Sequence, residues 1–225
     1  MMEKKKRATP WKPGKVISIS LRNGVYVLAQ MVRDPYLVFF NHFNEENNWK
    51  GVTLKEEDIL FCKAVTRQFL RYSPVAIVKE VTPLLDYELP KEWIYSHIGG
   101  HPITVSVKGR ERQVAGFGRR CSLVLADKDS GQPEDNPLMG LFQAYIIPDI
   151  KEQDWDRVGQ AEHMSIEVFP TLNERLYLCF LYGKNINPEQ DISLGKPLPD
   201  DYETYIDILT NSPEARRLYL GEHEE

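Results

Sequence analysis

His97 and His101 stand four residues apart in Ser96-His97-Ile98-Gly99-Gly100-His101-Pro102, the spacing at which one face of a helix could offer two imidazoles to zinc. Gly99-Gly100 between them and Pro102 after them oppose that helix, and no Cys-x-x-Cys or His-Glu-x-x-His accompanies them. Two histidines beside a tight turn is the better reading, so no metal and no cofactor is expected. Cys121 follows Arg119-Arg120, whose charges could lower its pKa, but no histidine lies near it in sequence to serve as base. A structural cysteine is favoured. Gly116-Phe117-Gly118-Arg119-Arg120 superficially resembles a phosphate cradle, yet it lacks both the Gly-x-Gly-x-x-Gly spacing and the Lys-Ser/Thr end of a P-loop. Carboxylate pairs for acid and base work could come from Glu45-Glu46, Glu56-Glu57-Asp58 or Asp200-Asp201, with no separation across a cleft to select one.

Aromatic residues in polar company point to binding instead. Trp49 lies in Asn44-Glu45-Glu46-Asn47-Asn48-Trp49-Lys50, and Trp155 in Glu152-Gln153-Asp154-Trp155-Asp156. Each is either an anchor folded back onto its own sheet or an exposed contact of the kind enriched in interfaces, and for Trp49 the anchor is favoured. The candidate partner-binding residues are therefore Glu45, Glu46, Trp49, Trp155, Asp200 and Asp201, with no catalytic residue among them.

Charge supports a protein partner. The chain of 225 residues has net charge -5, but residues 1–108 hold 16 Lys+Arg against 11 Asp+Glu and residues 109–225 hold 12 against 22. An acidic second half can steer a basic partner by long-range attraction or simply confer solubility. The basic start Lys4-Lys5-Lys6-Arg7 and the Arg110–Arg120 stretch could contact phosphates, but a pI of about 5.6 disfavours nucleic acid. Basic Met1–Arg7 runs into Ala-Thr-Pro-Trp-Lys-Pro-Gly rather than an apolar stretch, and no window approaches the roughly 18 apolar residues of a membrane span. A cytoplasmic protein is expected. Cys62, Cys121 and Cys179, odd in number and far apart, read as reduced thiols.

The elements that must position these residues begin with a strand run. Lys15–Leu21 alternates Val16, Ile19 and Leu21 with small or polar residues, Arg22-Asn23-Gly24 turns, and Val25–Arg33 resumes. Asn-Gly between two such runs predicts a hairpin, because both residues tolerate positive φ. Tyr36–Phe43 follows Asp34-Pro35 as a third strand. Thr53 and Glu56 have capping-box spacing, which predicts a helical turn through Asp58 and Ile59. Val75–Val81, Ile103–Val107, Ser122–Ala126 and Leu138–Ile147 read as strands, with an exposed loop over Asp127–Pro137. Gly109–Arg120 reads as a linker or a long hairpin loop. Met164–Phe169 and Leu176–Tyr182 are expected to pair as a second hairpin across Pro170–Glu174, the second arm being apolar on both faces like a central strand. Tyr202, Tyr205, Ile206 and Leu209 place an amphipathic helix over Pro199–Thr210, and Ser212-Pro213-Glu214 starts a last one.

The expected fold is α+β, mainly antiparallel: a small curved sheet or SH3-like partial barrel, plus a second sheet with C-terminal helices. The expected division is a flexible basic segment at 1–10, a β-rich module at 11–108 and an acidic α+β module at 109–225.

Trp11-Lys12-Pro13-Gly14-Lys15-Val16-Ile17-Ser18-Ile19, Gly24–Val32 and the aromatic Phe39-Phe40 resemble the N-terminal part of the immunity protein 26 family of bacterial polymorphic toxin systems. Pro90-Lys91-Glu92-Trp93-Ile94, leading into Ile98-Gly99, is similar to that family's tryptophan segment, so the resemblance covers residues 11–108. It implies a non-catalytic, cytoplasmic protein that binds and blocks a cognate toxin domain. The acidic second half does not match the family pattern, and it suits a basic partner such as a nuclease. A nucleic-acid-binding adaptor and a small hydrolase around His97, His101 and nearby carboxylates are the alternatives.

Overall fold

The computed structural model describes residues 9–97, 99, 101–126 and 142–220. Among them are twelve strands and six α-helices. First come β1 (Val16–Ser20), β2 (Tyr26–Met31), β3 (Tyr36–Asn44), β4 (Ile59–Val65), α1 (Arg67–Tyr72) and β5 (Val75–Val78). Next are β6 (Glu92–His97), β7 (Ile103–Val107), β8 (Arg110–Val114), β9 (Arg120–Leu125) and β10 (Ala144–Ile147). Then follow α2 (Trp155–Val158), β11 (Glu162–His163), β12 (Ile166–Glu167), α3 (Thr171–Tyr182), α4 (Pro188–Ser193), α5 (Glu203–Leu209) and α6 (Pro213–Leu220). The class is α+β, with antiparallel pairing dominant and, among the described residues, open sheets rather than a closed barrel. The basic stretch expected at 1–10 lies outside the described residues up to residue 8, as do the loop expected over 127–137 and the start of the strand ending in β10.

The chain forms two compact units, Met1–Glu88 with Ser165–Ile186, and Leu89–Met164 with Asn187–Glu225. A division at 108/109 does not coincide with them. Lys108 (φ 51°) and Gly109 (φ 68°) are the turn of the β7–β8 hairpin, with Val107 opposite Arg110. Within Gly109–Arg120, Arg110–Val114 is thus the returning arm of a hairpin, and residues 115–119 lead directly from it into β9, so the stretch is not a linker between modules.

In the first unit the sheet order is β12-β4-β3-β2-β1-β5. The hairpin signal is realised: Asn23 (φ 59°) and Gly24 (φ 74°) both take left-handed φ, and Val16 pairs with Gln30 through Ser20 with Tyr26. One sheet face presents Ile17, Ile19, Val27, Ala29, Met31, Leu37 and Phe39 to a core completed by α1 and α3. Gln30, on the opposite face, clamps the segment after β5: its side-chain amide donates to Leu84 C=O and accepts from Leu84 N–H, both at 2.8 Å. The expected helical turn forms and ends at Ile59, but Lys55 and Asp58 cap it instead of Thr53 and Glu56. The turn at Glu56–Asp58 is short, Asp58 Oδ2 accepts from Lys55 N–H (3.1 Å), and Thr53 instead bridges Thr82. β4 then begins at Ile59.

The larger correction concerns Leu176–Tyr182, which is not a hairpin arm but the end of α3. A short run apolar on both faces has no diagnostic period, and a buried helix satisfies it as well as a central strand. Leu172, Leu176, Tyr177 and Cys179 enter the core at helical spacing, and Gly183 (φ 64°) stops the helix in the left-handed conformation. What commits the segment to a helix is distant: the fully buried Glu174 carboxylate accepts from Arg22 Nε (2.9 Å) and Nη2 (3.1 Å), and Asn173 accepts from Ser73 Oγ (2.6 Å). Arg175, also buried, stacks 3.7 Å over the Phe61 ring and donates to Ile186 C=O (2.9 Å). The other arm of the expected hairpin is reduced to β12, which runs parallel to β4. There the buried Lys63 ammonium donates to Ser165 Oγ (2.8 Å) and lies 3.6 Å from Glu167.

The second unit has the sheet β10-β9-β6-β11 and the separate β7–β8 hairpin. Ile94, Cys121 and Leu123 form a core with Ile150 and Val158, against which Trp155 and Leu194 pack. The amphipathic helix after Pro199 forms as a turn at Asp200–Tyr202 continuing into α5, and Tyr202, Tyr205 and Ile206 are buried as their spacing predicts.

Candidate functional site

The six residues expected to meet a partner have different fates. Glu45 and Glu46 are exposed just beyond β3, where Asn44 Oδ1 accepts from Glu46 N–H (2.6 Å). Trp49 is only 2 % exposed and is the fold-back anchor, which removes it from any contact surface. Its indole donates to Asn47 Oδ1 (2.7 Å), which also accepts from Ser18 Oγ (2.5 Å) on β1. These three belong to the first unit; Trp155, Asp200 and Asp201 belong to the second. Trp155 is half-buried beside Ile94 and Cys121, with Lys196 Nζ 5.4 Å from its ring, a cation–π approach.

Asp200 and Asp201 are exposed on the turn before α5, and their surroundings include basic residues of the β7–β8 hairpin. Lys108 Nζ donates to Glu203 Oε2 (2.6 Å), and Arg110 lies 3.7 Å from Glu203 Oε1. The Glu203 carboxylate holds the Lys108 ammonium above its ordinary range, with Asp200 and Asp201 adding to the effect. In return the hydrogen bond from Lys108 pulls the Glu203 carboxyl down. Asp207 shifts upward, chiefly through desolvation, while Arg112 opposes. Part of the acid counted in the sequence is therefore balanced within the unit. An excess remains: Met1–Glu88 with Ser165–Ile186 carry 16 Lys+Arg against 12 Asp+Glu, net +4, and the second unit carries 12 against 21, net -9.

β6 carries two polar groups that sequence distance conceals, one on each face of the strand. His97 Nε2 lies 2.8 Å from Ser122 Oγ, whose single hydrogen is given to Pro148 C=O (2.6 Å), so His97 must be the donor and carries its proton on Nε2. Desolvation first, then Arg120, pushes the His97 pKa down, against Asp149. His101 is exposed, and among the described residues no group of three or more His, Cys, Asp or Glu side chains could hold a metal ion. On the other face of β6, Ser96 Oγ is 2.9 Å from His163 Nδ1 and 3.6 Å from Cys121 Sγ. Cys121 is 1 % exposed, and burial pushes its thiol up even though Ser96 and Ser193 pull the other way. Proximity to Arg119 and Arg120 in sequence does not activate it. The thiol stays protonated, and the group ties β9, β6 and β11 together.

Sequence reasoning did not bring Ser96 and His163 into this group. Alternation along β6 could have separated Ser96 from His97, but β11 is two residues long and leaves no periodic signal. Gly118 has a structural cause as well: a Cβ there would run into the His97 backbone carbonyl. An open cleft of about 240 Å³ lies in the first unit, lined by Ser18, Ser20, Tyr26, Asn47, Pro74, Val75 and Ala76.

No curated protein and no solved structure matches the chain. One family model does, over residues 5–107, described as a domain of unknown function (DUF8309). Over that span, which ends with β7, the chain is similar to the DUF8309 family.

Proposed function

We propose that this protein is an immunity-type inhibitor, which binds a cognate bacterial toxin domain in the cytoplasm and neutralises it stoichiometrically without chemistry of its own. The observation that carries this reading is the net charge of -9 on the second unit, with Asp200 and Asp201 exposed to solvent. Such a surface attracts a basic partner, and a nuclease, built to hold phosphates, is one. Charge complementarity raises encounter rate and suppresses wrong partners. Two further points support it. The strand run Trp11–Phe43 resembles the immunity protein 26 family, and the reactive side chains are committed to packing: Cys121 lies buried beside the Ser96 hydroxyl, which itself meets His163, and His97 bonds Ser122. The DUF8309 similarity carries no activity and leaves the reading to the residues.

The test is co-expression with the toxin domain encoded beside it. A one-to-one complex that weakens with salt is expected, and Asp200→Lys with Asp201→Lys should weaken it about tenfold, ~1.4 kcal/mol. No complex with that domain refutes the reading. Retention on DNA or RNA that falls steeply with salt would favour the nucleic-acid adaptor instead.

A further inference from the structure

β5 ends the six-stranded sheet, and its outer side has a defined set of backbone groups. Ser20 N–H donates to Pro74 C=O (2.9 Å), so along the antiparallel β1–β5 ladder residues 74, 76 and 78 turn toward β1. The β1–β2 ladder agrees: Leu21 N–H donates to Val25 C=O (2.7 Å) and Met31 N–H to Lys15 C=O (2.8 Å), which assigns the odd residues of β1 to β2. Val75 and Ile77 therefore turn their N–H and C=O outward. Ala76 is exposed, and so is Ile77 at 49 %. Val-Ala-Ile-Val is short but carries no charge or internal proline, two of the devices that ordinarily guard an open edge.

We infer that β5 pairs with β5 of a second copy of this chain, antiparallel across a two-fold axis at Ala76. The register follows from what is already bonded. With the axis at Ala76, Val75 lies opposite Ile77 of the partner subunit, and every outward N–H of each strand meets an outward carbonyl. An axis at Ile77 needs Lys79 N–H, which already donates to Glu80 Oε2 (3.1 Å). An axis at Val75 needs Ser73 N–H, which already donates to Phe69 C=O at the end of α1 (2.9 Å). At the Ala76 axis two small side chains meet at the close, non-hydrogen-bonded position, about 4.5 Å between Cα atoms. Ile77, on the face shared with Ile17 and Ile19, is covered by an apolar neighbour. Lys79 comes opposite serine and Glu80 opposite tyrosine, so no like charges face each other. This is an isologous contact, and it is independent of the toxin reading.

The pairing strand is short beside a standard interface of about 1,600 Å², so association is weak and is measured up to about millimolar chain. Sedimentation equilibrium of the full chain should show the mass rising from one chain toward two. Ile77→Lys and Ile77→Pro should each hold it at one chain with an unchanged circular dichroism spectrum, since Ile77 N–H does not bond β1. Mild oxidation of Ala76→Cys should give a covalent dimer, because that pair falls within disulfide reach and the native cysteines are buried. A single-chain mass throughout, or a dimer that survives both Ile77 substitutions, overturns the pairing and leaves the edge to a strand from a different protein. Crosslinking through Lys79→Cys but not Ala76→Cys overturns the register.

Discussion

Replacing Arg22 by alanine tests the helix that pattern alone reads as a strand. Arg22 sits in the turn between β1 and β2 and grips Glu174 on α3 through Nε (2.9 Å) and Nη2 (3.1 Å). Its guanidinium also lies 3.6 Å over the Tyr177 ring, one turn further along the same helix. The Glu174 side chain is fully buried while that of Arg22 keeps 21 % exposure. Truncation strands a carboxylate out of water, for which about 3–5 kcal/mol is typical; partial exposure of Arg22 places the expected loss at the lower end, about 3 kcal/mol. Glu174→Gln keeps an acceptor and loses the charge, so about 1–2 kcal/mol is expected. Arg22→Met with Glu174→Met removes both charges and should recover most of the loss. Urea unfolding followed by tryptophan emission in a Trp93→Phe, Trp155→Phe background leaves Trp11 and Trp49 to read the first unit, with near-unchanged slope as the control. A loss under ~1 kcal/mol for Arg22→Ala, or a double variant no better than the single, would mean that this pair does not hold α3 to the turn.

Three other expectations follow from the same geometry. His97 has a folded pKa below its unfolded value, so the unfolded chain takes up its proton first: the stabilisation is complete above about pH 6.5 and declines as pH falls through the folded pKa. An NMR titration should place the His97 midpoint below that value, and Asp149→Asn should move it lower still; a midpoint above it would contradict the assigned environment. Trp49→Ala should cost about 3–5 kcal/mol, whereas Glu45→Ala and Glu46→Ala should each stay within about 0.5 kcal/mol in the same unfolding assay. Equal effects at the three positions would contradict the anchor role. Native Cys121 should resist a thiol reagent until the chain unfolds, and labelling at the rate of an exposed thiol would contradict its burial.

Local signals served where both the turn and its strands lie within one short window. Asn23-Gly24 predicts its hairpin because the backbone requirement is written in the turn residues, and Tyr202, Tyr205 and Ile206 predict α5 because one stripe meets one core. α3 was not legible by the same means: Asn173, Glu174 and Arg175 look like an exposed turn until Ser73, Arg22 and Phe61 supply their partners from 100 or more residues away. β11 and β12 are two residues each, too short for any period, and they exist because β6 and β4 offer edges. The candidate site divides in the same way. Exposure of Glu45, Glu46, Asp200 and Asp201 follows from charge and turn position, whereas the Ser96–His163–Cys121 group depends on which strands become neighbours.

The interleaving of the two units sets a schedule for the chain as it is made. The β1–β5 sheet leaves the ribosome early, but Leu172, Leu176 and Tyr177, which cover one of its faces, are encoded after most of the second unit. At ordinary elongation rates of about 5–20 residues per second, the gap between Glu88 and Ile186 lasts roughly 5–20 s, during which Ile17, Ile19 and Phe39 lack their helix. A fragment cut at Val107, where the family similarity ends, would remain permanently at that stage, with a nascent sheet whose apolar side invites chaperones or aggregation.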